Sequence, residues 1–264
     1  MYSIERKAEI IRFLEQDGKV EVGTLAEYFH TSKETIRRDL KDLEHQGVLT
    51  RTHGGAVSVK MQSLQNGSAS LEYPIDVRGI QNFNEKQAIC KKAVTFINDG
   101  DTVFVDNSST TMYLAQFLPP QLQVTFITNS IKFLAEASQV DCTNKIFICL
   151  GGMFNPKNLS TYDNASVLSE NEYYPDKCFI SCAGISPDRM LTDTSIYEIN
   201  TKKYMIDSAR EVFLLADHTK FEKNGQFFLT GFDSISHIIT DSKSNSDFFE
   251  LLSNKNVQIV SVND

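Results

Sequence analysis

Apolar positions in the first sixty residues recur at helical spacing. Ile4, Ile11 and Leu14 share one face of a segment from Ser3 to Asp17 that Gly18 stops, which predicts a first helix. Val22, Leu25, Ala26 and Phe29 predict a second, from Glu21 to His30. The third opens on Thr31-Ser32-Lys33-Glu34, a Thr-x-x-Glu capping box. Ile36, Leu40 and Leu43 carry its apolar stripe to Gln46, with Gly47 as the stop. At about 100° per residue, Arg38 points away from that stripe, flanked by Glu34, Lys41, Arg37 and Thr35. Two short runs, Val48 to Arg51 and Ala56 to Val59, predict a hairpin around Thr52-His53-Gly54-Gly55. Its glycines admit the positive φ of a tight turn, and its tip carries Arg51 and His53.

Past Pro74 the period changes. Asn84 to Asn98 reads as a helix with Ile89, Ala93, Phe96 and Ile97 on its apolar face. Candidate strands follow at Thr102 to Val105, Val124 to Thr128, Lys145 to Leu150, Lys177 to Cys182 and Val212 to Ala216. Helical patterns separate or follow them at Thr111 to Leu118, Ile131 to Ser138, Ile196 to Ala209 and Asp247 to Leu252. Nearly continuous apolar strands alternating with helices predict a mostly parallel α/β sheet covered on both faces. Between the two regimes, the stretch from Val59 to Tyr73 is rich in Ser, Gln, Asn and Gly and reads as a linker. The expected division is 1–58 for a winged helix-turn-helix domain, 59–74 for the linker and 75–264 for the α/β domain.

Charge at first argues against a nucleic-acid partner, because the 264 residues carry a net −8. Divided by segment it does not: residues 1–60 hold ten basic and ten acidic side chains, leaving sixteen and twenty-four for the remainder. The acidity belongs to the second domain. With 41% apolar and 23% charged residues, the composition is that of a globular chain. The five cysteines are odd in number and widely spread, so no disulfide framework is expected, and a reducing cytoplasm is the natural home. No secretory h-region and no membrane span is expected.

A short helix, a tight connection and a second helix with a basic outer face is the arithmetic of a helix-turn-helix, and the hairpin adds a wing. The competing reading of Arg38 is an exposed ion pair, since it lies four residues after Glu34 and four before Asp42. Ser32-Lys33-Glu34-Thr35-Ile36-Arg37-Arg38-Asp39-Leu40, then Leu43-Glu44, Gly47 and Arg51-Thr52-His53-Gly54-Gly55-Ala56, resembles the signature of DeoR-family bacterial transcription regulators. The resemblance implies that the third helix enters the major groove of operator DNA, with Ser32, Lys33, Thr35, Arg37 and Arg38 near it and the wing on the backbone or minor groove. Arginine suits guanine edges, and Lys, Ser and Thr suit phosphates.

In the second domain, polar residues gather where the predicted strands end. Asp106-Asn107-Ser108-Ser109-Thr110-Thr111 runs from a strand into a helix, whose N-terminus and hydroxyls suit a phosphate or another small anion. Asp106 suits sugar hydroxyls or loop capping. Thr128-Asn129-Ser130 precedes another helix, where an ordinary N-cap is the competing reading. Gly151-Gly152 ends a third strand, where a backbone can approach a ligand. Lys202 and Lys203 lie on a long helix, the latter expected at the surface, and Asp217-His218-Thr219-Lys220 ends a late strand.

These segments resemble the sensor domain of the same family, similar in fold to ribose-5-phosphate isomerase. The resemblance implies a phosphorylated sugar as effector, with Ser108, Ser109, Thr110 and Thr111 on the phosphate and Asp106, Lys202, Asp217 and Lys220 lining the pocket. Asn129, Ser130, Gly151 and Gly152 belong to the same expected edge. Two departures stand out: Ser108 replaces the glycine of the family's Asp-x-Gly-Thr-Thr loop, and Asp163 or Asn164 stands where another glycine is usual. The expected function is a ligand-released repressor of a sugar-catabolic operon acting as a homodimer or homotetramer. The alternatives are an activator with the same sensor, or an aldose-ketose isomerase using Asp106, Asp193, Glu198 or Asp217 as base. No cofactor is expected and no metal, since Cys178 and Cys182 share the face of an apolar strand.

Overall fold

The computed structural model describes residues 2–59, 72–162, 173–243, 249, 252 and 257–262. Two compact units emerge, residues 1–83 and 84–264.

The first unit is built on α1 (Ser3–Asp17), β1 (Lys19–Glu21), α2 (Val22–Tyr28), α3 (Lys33–His45), β2 (Leu49–Arg51) and β3 (Gly55–Ser58). Ile10, Ile11 and Leu14 of α1 meet Leu25 and Ala26 of α2 and Ile36, Leu40 and Leu43 of α3 in one core. Ile10 takes the buried place expected of Ile4, which is only half-buried. A further helix, α4 (Ile75–Ile80), adds Val77 to this core, as does Tyr73. The division therefore falls at Phe83, later than the change of composition at residue 74.

Two details of the wing and α3 depart from the sequence reading. The cap is Ser32, not Thr31: its Oγ accepts from the Thr35 backbone N–H at 3.1 Å. Thr31 instead donates its own N–H to the Ala26 carbonyl, closing the turn from α2, and Glu34 reaches forward to Arg37. The wing glycines do not take positive φ; among the described glycines that conformation falls at 18, 47, 100 and 152, Gly47 ending α3 as expected. Gly55 is needed for proximity. Its β3 lies between β1 and β2, and a Cβ there would sit 1.9 Å from the Val20 carbonyl oxygen, whereas one on Gly54 meets open space. Gly55→Ala is expected to force β1 and β3 apart at a cost of about 1–3 kcal/mol or more. Gly54→Ala leaves the unfolding transition of this unit unmoved, which calorimetry on the two variants checks.

The second unit opens on α5 (Phe83–Ala93), shorter than expected because its last turn tightens to a 3₁₀ turn at Val94–Phe96. Its seven-stranded sheet is parallel throughout, in the order β15-β14-β12-β9-β4-β5-β6. The strands are β4 (Thr102–Val105), β5 (Val124–Thr128), β6 (Lys145–Cys149), β9 (Lys177–Ile180), β12 (Glu211–Leu215), β14 (His237–Asp241) and β15 (Gln258–Val262). β4 is the switch point: β5 and β6 extend the sheet to one side of it, and β9, β12, β14 and β15 to the other. Ligands of such sheets bind outside the carboxyl ends at that place.

The helix expected after β4 is a 3₁₀ helix, Thr111–Phe117. Thr111 to Ala115 are all buried, and the tighter 3₁₀ geometry stands where an α-helical N-terminus for a phosphate is expected. α6 (Ile131–Ala137) and α7 (Ile196–Ser208) form where expected. Two antiparallel additions carry no sequence signal strong enough to read: a hairpin of β7 (Met153–Asn155) and β8 (Ser160–Tyr162), and a trio of β10 (Gly184–Ser186), β11 (Met190–Asp193) and β13 (Phe227–Thr230). The helix expected over 247–252 lies largely outside the described residues, and positions 163 and 164 lie wholly outside them.

Candidate functional site

On the first unit, acids and bases of α3 divide cleanly. Asp39 is buried against α1, where Arg6 Nε donates to its Oδ2 at 2.5 Å and Ser3 Oγ lies 3.3 Å from its Oδ1. Asp42 takes Lys7 at 2.6 Å, and that ammonium holds its carboxyl below the usual carboxylate range. Glu44 accepts from the backbone N–H and the Nε of Arg51, at 2.9 and 2.6 Å, which pins the wing to the end of α3. Arg51 is therefore partly structural. Glu34 pairs with Arg37 at 3.3 Å between two exposed side chains, a contact worth little. Arg38 takes neither Glu34 nor Asp42, so the expected competing ion pair does not form. Lys33, Arg37, Arg38, Lys41 and His53 are exposed, and Thr35 is half-buried beside the capping hydroxyl of Ser32.

On the second unit, the loop after β4 is knitted to itself. Asp106 Oδ1 accepts from the Ser108 backbone N–H at 3.1 Å and from Thr111 Oγ1 at 2.6 Å, and Ser108 Oγ accepts from the Thr111 N–H at 3.1 Å. The side chain that replaces the family's glycine is thus turned back as a cap. Asp106 Oδ2 accepts from the Ser181 N–H at 3.0 Å and faces Lys202 Nζ at 3.2 Å. Lys202, on α7 and 5% exposed, also donates to Asp193 Oδ2 at 2.6 Å and to the Ser181 carbonyl at 3.1 Å. Burial alone works against its charge; Asp193, Asp106 and Glu198 outweigh burial and hold the ammonium well above the ordinary lysine range. Glu198 accepts from Asn158 Nδ2 at 2.8 Å and lies 3.4 Å from Ser160 Oγ, tying the β7–β8 hairpin to α7.

Asp217, beyond β12, is buried and accepts from the Thr219 N–H at 3.0 Å and from its hydroxyl. Burial pushes its carboxyl up, but Lys220 and Lys86 pull it further down. Ser130 caps α6 by accepting from the Phe133 N–H at 3.0 Å, which is the ordinary role weighed for it. Asn129 donates to the Thr161 carbonyl at 2.8 Å. Gly151 and Gly152 are exposed, and a Cβ on Gly151 would meet open space. Cys178 and Cys182 are buried, and burial raises both thiols, Cys182 to about 12. Lys203 lies with its Nζ 5.6 Å from the Phe228 ring centre.

The structure thus brings Asp106, Ser108, Thr111 and Lys202 into direct contact, with Asp217 and Lys220 two strands away on the same edge. It adds Ser181 and Lys86, which the sequence does not single out as site residues, and draws in Asp193 and Glu198, read there as possible bases, and Asn107 of the loop itself. Burial marks the charged ones: a lysine and two carboxylates below 9% exposed, Lys86, Asp193 and Glu198, are costly unless paired. Among the described residues no group of His, Cys, Asp and Glu is placed to hold a metal ion, and no helix is long and apolar enough to cross a membrane.

A winged helix-turn-helix in one chain with a parallel α/β domain, its polar edge at the switch point, defines a two-part DNA-binding regulator. The chain belongs to the DeoR family: residues 6–62 match its DeoR-like helix-turn-helix domain and residues 81–242 its DeoR C-terminal sensor domain. It is 31% identical to the uncharacterized HTH-type transcriptional regulator YulB of Bacillus subtilis, over 99% of this chain and 98% of that protein. It is 27% identical to the glycerol-3-phosphate regulon repressor of Escherichia coli, over 98% and 99%. The L-fucose operon activator of Haemophilus influenzae is 32% identical over 88% and 89%. Among solved structures, ribose 5-phosphate isomerase A of Methanocaldococcus jannaschii superimposes with a TM-score of 0.40 at 19% identity, over 53% of this chain and 55% of that one.

Proposed function

We propose that the chain is a repressor of a sugar-catabolic operon that a phosphorylated sugar intermediate releases from its operator. Ser32, Lys33, Thr35, Arg37, Arg38, Lys41, Arg51 and His53 form the DNA-facing surface. Two such readers on a homodimer or homotetramer take half-sites about 34 Å apart or a multiple of that. Ser109, Thr110 and Lys220 hold the phosphate, and Asp106, Asn129, Lys202 and Asp217 surround the rest of the ligand.

The observation that carries a sensing role over isomerisation is the state of the acids. Asp106 and Asp193 are bound by Lys202, Glu198 by Asn158 and Ser160, and Asp217 by Thr219, so each carboxylate weighed as a base already serves the fold. The relatives include a repressor and an activator, and the reading takes release from DNA as the simpler outcome. A ligand achieves this only by binding the DNA-incompetent arrangement more tightly.

A thermal-shift panel of three- to six-carbon sugar phosphates tests the reading. A ligand at 100 times its Kd adds about 2.7 kcal/mol to the folded state, which for a domain of this size raises Tm by roughly 5–10 °C. The same compound is expected to release the full chain from its operator in an anisotropy assay. A flat panel sinks the sensor reading, and turnover of any member sinks the non-catalytic one.

A further inference from the structure

One side chain in the loop after β4 has no hydrogen-bond partner among the described residues. Asn107 is 2% exposed, and neither its carboxamide nitrogen nor its oxygen has a hydrogen-bond partner among the described residues. One strand over, Asn129 is fully buried; donation from its Nδ2 to the Thr161 carbonyl fixes its orientation and leaves Oδ1 buried with no donor among the described residues. Val105 pairs with Thr128 at the end of the β4–β5 ladder, so Asn129 is the next residue and Asn107 the second residue beyond that pair, both at the carboxyl edge of the switch point. Native proteins leave few buried polar groups unbonded, and each one calls for an explanation.

We propose that Asn107 and Asn129 form the hydroxyl-reading end of the ligand pocket and bind two adjacent hydroxyls of a polyhydroxylated ligand. The donor and acceptor inventory of the orphaned atoms selects that class. Asn129 Oδ1 only accepts, so its occupant must donate, which admits an O–H and rejects an ionised phosphate or carboxylate oxygen. Asn107 offers two N–H donors and an acceptor, and a hydroxyl both donates and accepts. Two neighbouring hydroxyls satisfy both asparagines together, whereas a bare anion satisfies the donors of Asn107 alone. The hydroxyls of Ser108 and Thr111 are committed to the Asp106 loop. Those of Ser109 and Thr110 form no bond among the described residues and remain for the other end of the ligand. This assignment rests on the sensing role proposed above and adds which part of the ligand each side of the pocket reads.

The test uses the full chain, the polyol phosphate that gives the largest shift in the panel, and its deoxy analogue lacking one of the two adjacent hydroxyls. Asn107→Leu, close in volume and apolar, removes the orphaned groups. The ligand-free Tm is expected to rise, while affinity for the polyol phosphate falls about tenfold or more. The deoxy analogue binds the unaltered protein weakly and is nearly indifferent to the substitution. Asn107→Ala, too small to clash, is expected to show the same selective loss. Normal binding of the polyol phosphate by both variants overturns the assignment and leaves the sensing role standing, as does an equal loss for the deoxy analogue. A panel with no binder for the unaltered protein overturns the sensing role and this assignment with it.

Discussion

Lys202→Met is expected to destabilise the α/β unit by about 3–5 kcal/mol, the cost of leaving buried charge without its partner. Asp106 and Asp193 share the ammonium, with contacts of 3.2 and 2.6 Å, and both carboxylates lie below 9% exposed. Methionine matches the stem of lysine in length and fills its channel, so the loss reports charge rather than a cavity. Urea denaturation measures it as a lower midpoint at unchanged slope. Adding Asp193→Asn removes one of the stranded charges and is expected to restore part of the loss; the double-mutant cycle then gives the coupling between the two sites. A single variant as stable as the parent would mean that the cluster is neutral to the fold. Because Lys202 holds the loop through Asp106, the same variant is expected to weaken ligand binding even where it remains folded.

Arg38→Ala is expected to lower operator affinity by roughly 5- to 150-fold, corresponding to about 1–3 kcal/mol for a lost bidentate base contact. Arg38 is an exposed base on α3 that pairs with neither neighbouring acid, since Asp42 is taken by Lys7 and Glu34 by Arg37, and unlike Lys33 and Lys41 it carries a planar fork. It makes no ion-pair contact with either acid, and its loss removes a weak charge attraction to Asp42. Arg38→Lys retains the charge but not the planar fork, and should recover non-specific binding more than specific binding. Anisotropy titrations on DNA selected from a random pool by the parent protein, run against scrambled DNA, separate the two. Thr110→Ala is the converse: operator affinity held, ligand response lost. If both variants lost both activities, the assignment of reading to one unit and sensing to the other would fail. With the reader net neutral, only a local patch meets phosphates, so non-specific affinity should be modest and fall with salt.

The sequence by itself determined what short-range periodicity encodes. Ile36, Leu40 and Leu43 at helical spacing place α3 and leave Arg38 facing outward, because a 3.6-residue repeat fixes which side chains share a face. Apolar runs such as Thr102–Val105 and Val124–Thr128 are legible as buried strands for the same local reason, and the acidity of the second part is a matter of counting. Only the tertiary structure decided what those elements meet. Gly55 is read locally as a turn glycine, but it is required by the carbonyl of Val20 on a strand of three residues that carries no pattern of its own. Likewise, the hydroxyls of Ser108 and Thr111 look like phosphate donors in sequence, and folding spends the first on Thr111 and the second on Asp106. Asp106 meets Ser181, 75 residues away, because β9 lies beside β4 in the sheet. Strand order is a global choice, made by burying one continuous core, and no local repeat records it; hence the chain's fold class and its loops could be read along the sequence, while the buried charges around Lys202 and the unbonded amide of Asn107 could not.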